Sequence, residues 1–163
     1  MPTSDEVDRI VDAWSRERPD LDFSPLLVLS RVGRLARHLE RARRTAFEAS
    51  DLELWEFDVL SALRRAGAPY QLSPKALLQQ TLVSSGTMTN RSDRLVTRKL
   101  VERRTDPNDG RGILVVMTAA GQERVDAAIA TLLRAETELL DRLPRADQER
   151  LGALLRTLSL DFD

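Results

Sequence analysis

The stretch Ser84-Ser85-Gly86-Thr87-Met88-Thr89-Asn90-Arg91-Ser92-Asp93-Arg94-Leu95-Val96-Thr97-Arg98 decides the fold of this chain. Its opening serine can cap the free amides of a helix N-terminus. The apolar residues Val83, Met88, Leu95 and Leu100 recur at helical spacing and predict one narrow buried stripe. A core helix would be more apolar than this. The pattern therefore favours a helix whose first turns meet DNA bases and whose later turns meet phosphates; an ordinary solvated helix is the alternative.

A β-hairpin is predicted directly after this helix. Residues 101–105 and 113–117 have the composition of strands, and residues 106–112 that of a turn. Arg111 at the tip has the size and charge to enter a minor groove. Asp109 would orient its guanidinium, unless the two form a plain surface salt bridge. A polar helix followed by a basic hairpin is the layout of a winged helix-turn-helix.

The charge distribution supports a nucleic-acid partner although the formal net charge is only -1. The segment from Arg91 to Arg111 contains seven basic and four acidic residues, which leaves a local excess of three positive charges. A second copy of the chain would double this patch, while the acidic ends discourage indiscriminate binding.

The rest of the chain predicts helices separated by clear breaks. The proposed elements are a helix capped by Ser4 and ending near Arg16, a long helix from Ser24-Pro25 to about Glu48, a helix over Leu54 to Ala66, a short strand at Tyr70-Gln71-Leu72, a helix from Ser73-Pro74 to about Gln80, and two helices over Ala119 to Arg142 and Arg145 to Leu158. The predicted fold class is mainly α with a small β-hairpin wing.

The last two helices carry broad aliphatic stripes that one copy of the chain cannot bury. We therefore expect a homodimer that sets two reading helices one DNA turn apart, roughly 34 Å, on a palindromic operator. The predicted division is 1–48 for the extra N-terminal helix and first dimerisation helix, 49–117 for the DNA-binding domain, and 118–163 for the C-terminal dimerisation helices.

Composition argues against other classes of protein. The chain has one histidine and no cysteine, and it lacks a nucleophile elbow and a phosphate-cradling glycine loop. We expect no enzyme activity, no cofactor and no metal. No segment approaches the roughly 20 apolar residues of a membrane span, and the N-terminus does not resemble an export signal, so we expect a cytoplasmic protein. A helical protein-interaction module without DNA binding is an alternative, but it does not explain Asp109-Gly110-Arg111.

The motifs Asp93-Arg94-Leu95, Leu100-Val101-Glu102-Arg103, Asp106-Pro107-Asn108-Asp109-Gly110-Arg111 and Thr118-Ala119-Ala120-Gly121 resemble the signature of the MarR (multiple antibiotic resistance regulator) family. The resemblance implies a recognition helix, a strand, a wing and the start of a long dimerisation helix. Two positions depart from the family pattern. Gly110-Arg111 stands where two arginines are usual, and Lys99 replaces a glycine at a turn that favours a left-handed residue.

The predicted DNA contacts follow from this layout. They are Ser84, Ser85, Thr87, Thr89, Asn90, Arg94, Arg98, Arg104, Asp109 and Arg111.

The N-terminal extension around Trp14 resembles the urate-responsive branch of the same family. That resemblance implies a ligand site formed by Trp14, Asp58, Arg91 and Arg103. A planar purine anion would pack on an aromatic ring and pair with a guanidinium. Asp58 would accept a ring proton or repel the anionic edge of the ligand, and Arg103 would hold Asp58 until the ligand displaces that pair.

Simpler roles for these four residues stay open. Trp14 can serve to pack the extra helix, Arg91 to contact phosphate, and Arg103 with Asp58 to form a structural ion pair. A carboxylic acid such as citrate or aconitate is the alternative ligand. His38 and Trp55 are assigned no function.

Overall fold

A computed structural model describes residues 4–81, 83–107, 110, 112–160 and 162. The chain divides into two compact units, Met1–Ala42 and Arg43–Asp163. The elements are α1 (Glu6–Glu17), α2 (Ser24–Glu48), α3 (Leu54–Arg65), β1 (Gln71–Leu72), α4 (Pro74–Thr81), α5 (Ser85–Thr97), β2 (Val101–Thr105), β3 (Ile113–Met117), α6 (Ala119–Leu140) and α7 (Arg145–Ser159). The predicted fold class, helical with a small antiparallel sheet, is confirmed. The functional division into 1–48, 49–117 and 118–163 stays a prediction.

In the first unit, α1 is capped one residue later than the sequence suggested. The predicted cap, Ser4, was wrong: the Asp5 carboxylate accepts the backbone N–H groups of Val7 and Asp8 at 2.8 and 3.1 Å. Asp8 accepts the backbone N–H of Asp5 in return, which completes a capping box. A carboxylate stabilises this position more than a serine hydroxyl group, because its negative charge also interacts favourably with the positive end of the helix dipole.

Arg31 joins α1 to the first part of α2. Its guanidinium lies 2.8 Å from the Asp5 carboxylate and 2.7 Å from that of Asp8. The hydrogen bond from Arg31, together with the amides of the capping box, lowers the pKa of Asp5 to about 2. The contact between the two helices therefore remains charged across the physiological pH range.

The sheet of the second unit has the strand order β1-β3-β2, with both pairs antiparallel. Val101 pairs with Met117 and Thr105 with Ile113, as a hairpin over these residues requires. Gln71 pairs with Val116, which confirms the expected short strand beside the hairpin. The sheet thus covers one side of the helices that hold α5.

One hydrophobic core supports α3, α4 and α5. It contains Val59, Leu60 and Leu63 from α3, Leu77 from α4, Met88 and Leu95 from α5, and Leu100, Val101, Val115 and Met117 from the hairpin region. Val83 packs against its margin. The narrow apolar stripe that the sequence predicts for α5 is the face that enters this core.

A tight turn joins α5 to the hairpin and to α6. Lys99 has φ of 60°, so a lysine occupies the left-handed conformation for which glycine is better suited. The Thr118 side chain donates to the Lys99 or Leu100 carbonyl at 2.8 or 3.0 Å, and it also caps α6. Gly121 lies against the Leu100 carbonyl, and a Cβ at this position would come within 2.2 Å of that oxygen.

The helices α6 and α7 leave much apolar surface exposed. α7 has no buried residue, and none of the described helices is long and apolar enough to cross a membrane. Large exposed apolar side chains on these helices include Leu133, Leu140, Leu151, Leu154, Leu155 and Leu158. This surface is the one that the sequence predicts to be buried by a second copy.

Gly121→Ala is expected to destabilise the protein by about 1 to 3 kcal/mol, because its methyl group collides with a backbone oxygen that cannot move away independently. Gly152→Ala is the matched control. Its Cβ would meet nothing within 4 Å, and removing a glycine from the interior of a helix stabilises it by about 0.5 to 1 kcal/mol. Thermal or urea unfolding measures both; equal stabilities would contradict the tight packing at Gly121.

Candidate DNA-binding interface and ligand cavities

One face of α5 is polar and exposed, opposite the stripe that enters the core. Ser84 caps the helix by accepting the N–H of Thr87 at 3.3 Å, and the two hydroxyl groups lie 2.9 Å apart. Thr89 donates to the Ser85 carbonyl at 3.1 Å. Further along, Asn90 and Arg94 are also exposed. A helix with this face presents hydroxyl, amide and guanidinium groups in the first three turns, where base edges are read.

Trp55 lies beneath the arginines of this face, although its sequence context indicates no function for it. The guanidinium carbons of Arg91 and Arg94 lie 5.6 and 4.6 Å from the centre of its ring. The Trp55 indole N–H donates to Glu53 at 2.6 Å, and the other oxygen of that carboxylate accepts from Arg94 at 2.7 Å. Trp55 and Glu53 therefore hold Arg94 from two sides. No local signal reveals this, because Arg94 lies about 40 residues from both partners in the sequence.

These residues also line an open groove of about 470 Å³. Its walls are Glu53, Trp55, Gly86, Thr87, Asn90, Arg91 and Arg94. The groove thus combines the aromatic platform with the exposed start of α5.

The arginines of β2 are paired along the same surface. Arg103 lies 2.7 Å from the Asp93 carboxylate of α5, and Arg104 pairs with Glu102 on its own strand. Both arginines are exposed. The predicted wing residues Asp109 and Arg111 lie outside the described residues.

Arg98 is half-buried and paired with carboxylates of the protein. Its guanidinium pairs with the fully buried carboxylate of Glu56 and with Asp51, whose carboxylate lies 2.7 Å away. These hydrogen bonds, that of Glu56 above all, raise the pKa of Arg98. The sequence predicted a phosphate contact for this residue, but its two terminal nitrogens already have protein acceptors.

Asp58 lines a separate cavity of about 560 Å³. The walls come from the end of α2, from α3, the end of α4 and α6: Arg43, Phe57, Asp58, Ser61, Arg64, Arg65, Gln80, Thr81, Val125, Asp126, Ile129 and Leu132. Arg43 lies 3.9 Å from Asp58, and Arg64 lies 2.8 Å from Asp126. The cavity thus combines three guanidinium groups and two carboxylates with an apolar floor.

The four predicted ligand residues occupy different surroundings. Arg91 lines the groove above Trp55, Asp58 lines the second cavity, and Arg103 pairs with Asp93. Arg43 lies 3.9 Å from Asp58, and the pairing of Asp58 with Arg103 stays a prediction. In the first unit, Trp14 stacks on Phe23 with ring centres 5.9 Å apart and is half exposed.

The arrangement of α4, α5 and the hairpin defines a winged helix-turn-helix protein. The model of the MarR family matches residues 50–112. The chain is 33% identical to the HTH-type transcriptional regulator PecS of Dickeya dadantii over 150 residues, which are 92% of this chain and 90% of that protein. This protein therefore belongs to the MarR family of DNA-binding transcriptional regulators, whose members are not enzymes.

Solved structures agree with this assignment. A mutant of MarR from Escherichia coli complexed with operator DNA aligns with a TM-score of 0.64 and 26% identity, covering 85% of this chain and 99% of that one. BpsR of Bordetella bronchiseptica, studied for regulation of its DNA binding by 6-hydroxynicotinic acid, aligns with a TM-score of 0.58 and 28% identity over 79% of this chain and 98% of its own. Among the described residues no cluster of potential metal ligands occurs.

Trp55→Leu is expected to weaken binding to operator DNA about two- to fivefold, because an exposed cation–π contact contributes about 0.5 to 1 kcal/mol and Arg94 loses its platform. Trp55→Phe keeps an aromatic face and is expected to retain most of the affinity. Fluorescence anisotropy with labelled operator DNA measures both. Unchanged binding by a folded Trp55→Leu protein would contradict a role for the platform.

Proposed function

We propose that the protein is a repressor that binds a palindromic operator as a homodimer and is released by a small planar anion, with urate or a related purine as first choice. The observation that carries the DNA-binding half is the exposed polar face of α5. The proposed contacts are Ser84, Ser85, Thr87, Thr89, Asn90, Arg94 and Arg104, with Asp109 and Arg111 at the predicted wing tip.

The dimer is supported by apolar surface in both units. In the first unit, Val28, Leu29 and Val32 are exposed on the side of α2. In the second, Leu133, Leu154 and Leu158 are exposed on α6 and α7. Pairing with a second copy buries such surface and sets two copies of α5 against successive turns of DNA.

The Asp58 cavity is where we propose that the ligand binds first. Its volume of about 560 Å³ lies in the range of small-molecule sites, roughly 300 to 1,000 Å³. Arg43, Arg64 and Arg65 supply positive charge for an anion, and Asp58 can accept a ring N–H of a purine. The apolar residues of the wall would cover the flat faces of the ring.

Arg91 and Arg103, two of the four predicted ligand residues, give the ligand a way to act on DNA binding. Arg91 belongs to α5 itself, and Arg103 is tied to α5 through Asp93. A ligand that draws either guanidinium toward itself displaces the reading helix, and a shift of about 1 to 2 Å is of the size that switching helices make. Trp14 offers the purine an aromatic face that stacking on Phe23 leaves half exposed.

A carboxylic acid such as citrate or aconitate is the second candidate. Three arginines in one cavity favour a ligand with several carboxylates as much as a purine. The two candidates differ in their need for an aromatic surface. Phenylalanine presents a smaller ring than tryptophan, so Trp14→Phe is expected to weaken the response to urate and to leave the response to citrate nearly unchanged.

The DNA-binding half is tested with the purified protein and DNA from upstream of its own coding sequence. Affinity is expected to fall steeply between about 50 and 200 mM salt, because phosphate contacts release counterions. Adding urate at constant salt is expected to weaken binding further. Fluorescence anisotropy measures both effects, and a protein that binds no DNA would favour the helical interaction module.

The proposed ligand site is tested with single-residue variants. Trp14→Ala and Asp58→Ala are each expected to keep operator affinity within about twofold and to lose most of the response to urate, since they remove ligand contacts and leave the exposed face of α5 intact. Arg150→Gln, on α7 and outside the cavity, is the control and should respond normally. Retention of the full response by Asp58→Ala would remove Asp58 from the ligand site.

A further inference from the structure

The C-terminal end of α5 is tied to two other helices by a cluster of four charged side chains, called here the clamp: Asp51, Glu56, Arg98 and Arg124. Arg98 closes α5, Glu56 lies in the first turn of α3, Asp51 precedes α3, and Arg124 lies near the start of α6. The clamp thus joins elements far apart in sequence at one end of the recognition helix.

The contacts within the clamp are direct. Arg98 pairs through one terminal nitrogen with Glu56, and through the other with the carboxylate and the carbonyl of Asp51, both at 2.7 Å. Arg124 donates to the same carboxylate and, at 3.1 Å, to the same carbonyl of Asp51. Asp51 therefore lies between a guanidinium of α5 and one of α6. The hydrogen bond from Arg124, followed by the positive charge of Arg98, lowers the pKa of Asp51, so Asp51 is ionised at neutral pH.

Glu56 shows that the clamp lies partly in the protein interior. Its side chain is 0% exposed, and Oε1 has no hydrogen-bond partner among the described residues. A buried carboxylate with one unpaired oxygen is costly unless a cation stays beside it. Arg98 is that cation, and its side chain is only 30% exposed.

The charges of the clamp cancel. Two guanidinium groups and two carboxylates leave no net charge to attract phosphate. Arg98 has its terminal nitrogens occupied, and moving it to DNA would leave Glu56 buried without a counterion. Arg98 therefore binds the end of α5 to the rest of the protein.

We propose that the clamp positions α5 for operator reading, and that Arg98 acts through Glu56 and Asp51 and not as a phosphate contact. The clamp fixes the end of α5 to α3 and α6, so that the reading face keeps its orientation relative to the helix that leads into the C-terminal segment. The proposal needs only the DNA-binding role of the family. It is independent of the ligand.

One substitution tests the proposal, because electrostatic attraction and a positioning role predict opposite changes in operator affinity. Asp51→Asn removes a negative charge, so simple electrostatics predicts tighter binding to all DNA. The clamp predicts operator binding weakened on the order of fivefold, with unchanged or slightly tighter binding to unrelated DNA. Asparagine is a safe substitute, because Asp51 has φ of 52° and asparagine tolerates this conformation.

Glu123→Gln is the matched control. Glu123 is an exposed neighbour of Arg124 on α6 outside the clamp, and its loss changes the charge by the same amount. Its operator affinity is expected to stay equal or to rise. If Asp51→Asn behaves like Glu123→Gln for both DNAs, the proposal is overturned.

Variants of Arg98 give a second readout. Arg98→Lys keeps the charge, but a single ammonium cannot hold two carboxylates as a guanidinium does. We expect it to weaken operator binding nearly as much as Arg98→Gln, with the salt dependence unchanged in both. If Arg98 contacted phosphate, Arg98→Lys would bind operator DNA almost normally. Arg98→Gln would then lower the slope of log affinity against log salt by about one, because one phosphate contact is lost. Circular dichroism checks that each variant is folded. If an Arg98 variant does not fold, the Asp51→Asn variant still tests the proposal, because Asp51 is exposed and its substitution disturbs no core packing.

Discussion

The structure depends on the two faces of α5: one narrow face enters the core, and most of the other side chains of the helix lie at the surface. Met88, Ser92 and Leu95 are buried, and residues between them carry the polar groups that face outward. Because the stripe is narrow, burial alone fixes the helix weakly. Additional contacts at its middle and its end must set its orientation, and Trp55 and Arg98 provide them.

Local sequence signals predicted the secondary structure well. The hairpin strands begin and end where the composition placed them, and Lys99 has the left-handed conformation that a glycine usually supplies at this turn. These features depend on residues close together in sequence. The cap of α1 was misplaced by one residue, because serine and aspartate are both good caps and the choice depends on the reciprocal bond from Asp8 and on Arg31.

Side-chain partners were much harder to predict. The sequence identified Arg94 and Arg98 as cations of the reading helix but not that Glu53 and Glu56, more than 40 residues earlier, would pair with them. Pairing in three dimensions decides whether an arginine is available to DNA or committed to the protein. Two arginines one helical turn apart therefore have different surroundings, one beside an aromatic ring at the surface and the other beside a buried carboxylate.

The C-terminal end of α5 is hydrogen-bonded to other elements, and its N-terminal end is hydrogen-bonded mainly within itself. The hydrogen bonds of Ser84, Thr87 and Thr89 stay within the first turns, whereas the last turn is bonded to α3 and to Asp51, and the turn after it to the start of α6. Met88 packs in the core, but the hydrogen bonds that join α5 to α3 and to the residue before it come from Arg94 and Arg98 in the second half of the helix, so its C-terminus can act as the pivot of a rod. A rod of this length, about 20 Å, moves its far end by roughly 2 Å when it tilts by about 5°. A small rotation of α6 would therefore displace α5 most near its N-terminus, at Gly86, Thr87 and Asn90, and least at the pivot itself.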